Sequence, residues 1–163
     1  MITKDFIKLL IDAGADVNAK DNNGQTPLHQ CQKADFIDSF VTVKLLIDAG
    51  ADVNAKDNDG KTPLHLCQDD VVASLLIDAG ADVNAKDNDG KTPLYVGYDA
   101  PLTQPLDETL MEMLISAGVD VNAKDNDGKT PLNFSIASLI QMLQRKGTLD
   151  TLDIIEILLR LGY

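Results

Sequence analysis

Two histidines in this 163-residue chain stand two places before a cysteine, as His29-Gln30-Cys31 and His65-Leu66-Cys67. Imidazole and thiolate are common zinc donors, and a structural zinc site takes four such ligands. The spacing invites a metal reading, but the places that should repeat it do not. Tyr95 and Asn133 stand where further histidines would fall, and Gly97 and Ser135 where further cysteines would fall. A column that accepts Cys, Cys, Gly and Ser reads as a limit on side-chain size. No metal and no cofactor is expected. Two cysteines are not a disulfide framework either.

Carboxylates are the other candidates for chemistry, with 26 Asp and Glu against 14 Lys and Arg and a net charge of −12. General acid–base work needs two carboxylates in different environments. Most of these belong to one copied block, so no pair is singled out. "DNDG" at 57–60, 87–90 and 125–128 opens like a calcium loop but lacks the glutamate that closes an EF-hand loop. No phosphate-loop or nucleophile-elbow motif is present in the sequence. The chain reads as non-catalytic. Its acidity leaves no basic face for nucleic acid or an anionic membrane, and no stretch approaches a membrane span. A basic protein is a suitable partner.

The elements that position these residues are repeated. "TPL" begins at Thr26, Thr62, Thr92 and Thr130, at spacings of 36, 30 and 38. "LLIDAGADVNAKDNDGKTPL" occurs unchanged at 45–64 and 75–94. The block at 9–28 differs in Asn23 and Gln25, and that at 113–132 in Met113, Ser116 and Val119. "LLIDAG" predicts the end of an amphipathic helix, with Gly14, Gly50, Gly80 and Gly118 as left-handed C′ residues. "ADVNAKDNDG" predicts an extended arm with a turn, its Asp and Asn side chains bonding back to the backbone. "TPLH" predicts a new helix with Thr as N-cap and Pro at the first helical position. Turn, helix, loop, helix is a unit that cannot bury its apolar faces alone, so units must stack.

This pattern resembles the ankyrin-repeat family, whose period is about 33 residues with a T-P-L-H-x-A signature. The resemblance implies an all-α repeat solenoid, stacked antiparallel helix pairs joined by β-hairpin-like loops. The expected layout is one domain over 1–163. Residues 1–25 form a half-repeat and hairpin, 26–61, 62–91 and 92–129 internal repeats, and 130–163 a C-terminal helix pair. In the family the histidine bonds locally at the helix start, and the cysteine position holds a small packed residue.

Length varies only between "TPLH" and "LLIDAG". The connecting segments have 15 residues at 30–44, 9 at 66–74, 17 at 96–112 and 23 at 134–156, where about 12 would match the family period. In the shortest, Asp69 or Asp70 is expected to cap the second helix directly. An irregular loop is expected near 99–106, and an elongated helix to about Lys146, stopped by Gly147, with a second-helix pattern at 152–162.

The resemblance implies a binding module, a scaffold that recognises protein along its loop tips and first helices. The tips are nearly identical, so Asp59, Lys61, Asp89 and Lys91 are secondary candidates. The segments between the copies differ, and there the candidates are Lys33, Phe36, Phe40, Asp69, Asp70, Tyr95, Tyr98, Asp99 and Leu102. Residues 65–74 carry −2 and 95–112 carry −4, which predicts an acidic patch on the middle units beside aromatics, as binding hot spots tend to be built. An inhibitor or immunity-type protein shielding a basic partner such as a nuclease fits that charge. The alternative is an assembly element that stacks through its N-terminal edge, where Phe6, Ile7 and Leu10 lack a first helix. A monomer in a reducing, cytoplasmic setting is expected; export without a signal peptide would leave no trace here.

Overall fold

The computed structural model describes residues 4–30, 39–95 and 108–132. Four helices end the copied "LLID" motif: α1 (Lys4–Asp12), α3 (Ser39–Asp48), α5 (Asp70–Asp78) and α6 (Glu108–Ser116). They pack in chain order, α1 on α3, α3 on α5 and α5 on α6. Shorter turns begin at the copied prolines: α2 (Pro27–Gln30), α4 (Pro63–Leu66) and a 3₁₀ turn at Pro93–Tyr95. These stack as a second layer, with α2 on α4 and α4 on the 3₁₀ turn. Leu28, Val43, Leu46, Leu64, Leu76, Leu94 and Leu114 join one core that runs through the stack. The chain is an all-helical repeat solenoid, with no strand among the described residues.

Each long helix stops as the sequence requires. Gly14, Gly50, Gly80 and Gly118 have φ between 87° and 91°, and the residue after each returns its N–H to a carbonyl of the helix, as Ala51 does to Leu46 at 2.9 Å. The arms that follow are closed by one backbone bond in place of a strand pair. Asp57 N–H donates to the Lys61 carbonyl at 2.9 Å, and the Asp57 carboxylate accepts from Asp59 N–H (3.0 Å) and Lys61 N–H (2.9 Å). The arms at Asp87 and Asp125 repeat this turn.

The short 66–74 segment fits because Asp69 caps α5 itself, accepting from Val72 N–H at 3.0 Å. The loop expected near 99–106 and the elongated helix to Lys146 lie outside the described residues, as does the second-helix pattern at 152–162.

Candidate functional site

The copied arms are held to one another by six hydrogen bonds at each junction. Between the first and second arms, Asn18 Nδ2 donates to the Gly50 carbonyl (3.1 Å) while its Oδ1 accepts from Asp52 N–H (2.8 Å). Lys20 Nζ donates to the Lys56 carbonyl (2.8 Å). Asn58 donates its N–H to the Asn23 carbonyl (2.9 Å) and its Nδ2 to the Asn22 carbonyl (3.0 Å). His29 Nε2 reaches the Lys61 carbonyl (3.0 Å). Asn54, Lys56, Asn88 and His65 repeat the set at the second junction. Asn84, Lys86, Asn126 and Tyr95 repeat it at the third.

This ladder explains the letters that looked like chemistry. His65 Nε2 faces a carbonyl and so must donate, which leaves Nδ1 to accept from Thr62 N–H at 3.1 Å, with Thr62 Oγ1 at 2.9 Å. That is the capping-box arrangement with histidine in the place of Glu or Gln. Burial lowers the His65 pKa below its ordinary value. Cys67 is buried, its thiol donates to the Asp69 carbonyl at 3.2 Å, and burial pushes its pKa up to about 12. Both ring nitrogens are occupied and the thiolate is disfavoured, so His65 and Cys67 are scaffold residues. No cluster of three or more His, Cys, Asp or Glu suited to a metal occurs among the described residues.

Tyr95 corrects an expectation. It was placed among the partner contacts, yet it is 5% exposed and its hydroxyl donates to the Lys129 carbonyl at 2.8 Å, with the Ala123 carbonyl at 3.1 Å. It does across the third junction what histidine does across the others. The substitution leaves Thr92 Oγ1 buried with no partner, and the turn it opens is 3₁₀ in place of α.

The tip candidates divide. Asp59 and Asp89 are exposed, although each backbone carbonyl anchors the next arm. The Lys91 side chain is only 16% exposed, 3.6 Å from Asp89, whereas Lys129 at the equivalent place in the fourth arm is 56% exposed. The following arm is what covers it.

What remains for a partner is the stretch where the copy is interrupted. Asp69 is exposed and Asp70 half-buried at the start of α5, where the positive end of the helix dipole favours both carboxylates. Val71 beside them is 48% exposed. Phe40, 46% exposed, stands five residues before the copied leucine of α3, as Asp70 does in α5, and the two helices pack together. Phe40, Asp69 and Asp70 therefore share one side of adjacent units. Val71 was missed in the sequence; an apolar residue in the first turn after two aspartates was its only signal. Lys33, Phe36, Tyr98, Asp99 and Leu102 lie outside the described residues.

A family model for ankyrin repeats (3 copies) matches residues 2–87 and 39–100. No curated protein matches the chain.

Proposed function

From the premise that this chain belongs to the ankyrin-repeat family, we propose that it is a non-catalytic acidic binder of a basic protein. Ankyrin repeats are generic protein–protein interaction modules. The specific reading rests on one observation: the copied arms spend their polar groups on each other, while Asp69, Asp70, Val71 and Phe40 do not belong to that ladder and reach the surface together. Exposed carboxylates beside an aromatic and an aliphatic side chain suit a basic partner that also has apolar surface. Tyr98, Asp99, Lys33, Phe36 and Leu102 extend the proposed contact on either side in the sequence. The net charge of −12 accelerates encounter with such a partner and makes the affinity fall with salt. An inhibitor or immunity-type role, in a reducing cytoplasmic setting, is the form this reading takes.

The test is capture from a lysate of the source organism with the purified chain as bait, washed in parallel at low and high salt. A basic protein retained at low salt and released at high salt supports the proposal. Retention indifferent to salt contradicts it.

A further inference from the structure

We propose that the two ends of the stack are complementary halves of one repeat unit, so that two copies of this chain associate head to tail. The interior defines a whole unit: a Thr-Pro-Leu turn, a long helix, an arm. At one end, α1 and its arm have no Thr-Pro-Leu turn before them. Leu10 is 47% exposed there, although Leu46, Leu76 and Leu114 at the same place in the other units are buried. At the other end, Leu132 of the fourth Thr-Pro-Leu is 62% exposed, although Leu28, Leu64 and Leu94 are buried. Inside the stack, leucines of these two kinds share one core. Each end presents the half that the other lacks.

The arm edges match bond for bond. Among the described residues, the Gly14 carbonyl, the Asp16 N–H, the Lys20 carbonyl and both amide groups of Asn22 have no partner. On the fourth arm, the side chains of Asn122 and Lys124 and the carbonyls of Asn126 and Asp127 have none. A Cβ built on Gly128 meets nothing within 4 Å, whereas one on Gly24, Gly60 or Gly90 meets the asparagine of the next arm at 2.5 Å. The three internal junctions dictate the pairing. Asn122 bridges Gly14 and Asp16 as Asn84 bridges Gly118 and Asp120. Lys124 takes the Lys20 carbonyl as Lys86 takes that of Lys124. Asn22 donates to Asp127 and Asn126 as Asn126 donates to Asp89 and Asn88. Residues 133–163 contain no fifth copy of the arm to make these bonds.

The contact uses a different patch on each copy, so it is heterologous and grows by addition. Its salt dependence has the opposite sign from the acidic-binder proposal. Two chains of −12 repel, so screening the charge strengthens association. Either proposal can therefore fail while the other stands.

Sedimentation of the full chain over a range of concentration, at 0.05 M and 0.5 M salt, tests this. The expected result is mass above that of the monomer, growing with concentration and larger at high salt. Leu10→Glu blocks one end and Asn122→Asp turns a donor aimed at Gly14 into an acceptor, each weakening association roughly tenfold or more. Each variant alone should be monomeric, and their mixture should give a dimer and nothing larger, because one intact end of each kind remains. Circular dichroism matching the wild type shows that the variants fold. A wild-type monomer at all concentrations and both salts overturns the proposal, and so does a dimer of Asn122→Asp alone, which would mean that like ends pair.

Discussion

Leu76 and Leu10 occupy the same place in two nearly identical blocks, yet Leu76 is fully buried and Leu10 is half exposed. Their neighbours differ, not their letters. Leu76 has a Thr-Pro-Leu turn of its own unit and a unit on either side, while Leu10 begins the stack. In a solenoid the energetic content of a residue is set by position along the stack as much as by local sequence.

Truncation breaks or sharpens that comparison most directly. Leu76→Ala empties a buried site and should cost about 3–5 kcal/mol, against less than about 1 kcal/mol for Leu10→Ala, by urea unfolding of dilute protein. Similar losses would mean that the first helix is already covered.

Glycines give the next contrast. Gly60 and Gly128 both hold φ near 75°, but a Cβ at Gly60 would lie 2.5 Å from Asn88 Oδ1 and 2.9 Å from Asn88 N, and one at Gly128 meets nothing. Gly128→Ala should lose about 1–2 kcal/mol for left-handed backbone strain alone. Gly60→Ala should lose about 3 kcal/mol, because the arm junction must also open.

His65 and Tyr95 perform the same bridging task with one titrating group and one that stays neutral. Burial holds the folded-state pKa of His65 below its ordinary 6.5, so the unfolded chain binds more protons as pH falls past that value. The stability contributed by neutral His65 is complete above about pH 6.5 and declines below it. Unfolding measured from pH 7.5 to 5.5 should show this decline, and His65→Tyr should reduce it. An unchanged slope in the variant would place the pH dependence elsewhere.

Asp69 gives the smallest effect. It caps α5 through Val72 N–H, so Asp69→Ala should cost about 1 kcal/mol and Asp69→Asn a few tenths, since asparagine caps as well as aspartate. Asp69→Asn thus removes charge without removing the helix start.

Much of this architecture was legible because it rests on local rules. The left-handed glycines, the proline-opened turns and the Asp turn of each arm follow from backbone sterics and short-range hydrogen bonds. The short 66–74 segment correctly announced Asp69 as a cap. Tyr95 was misread because its role is set by residues 28 and 34 positions away, at Ala123 and Lys129. The same holds for Asn18, Asn54 and Asn84, whose partners lie in the next unit. Their spacing showed that they repeat, not what they hold. The candidate site was legible as an interruption of the copy, but the exposure of Val71 was not, since exposure depends on the packing of neighbouring helices.

The central claim is that copied residues build and uncopied residues recognise. It is tested by capturing the basic partner at low salt with two variants of equal charge change. Asp69→Asn with Asp70→Asn alters the interruption; Asp59→Asn with Asp89→Asn alters two exposed tips, each to the residue that the first arm carries as Asn23. The expected result is affinity lost roughly tenfold or more in the first pair and nearly unchanged in the second. Equal losses in both would mean that net charge alone drives binding, and would contradict the claim.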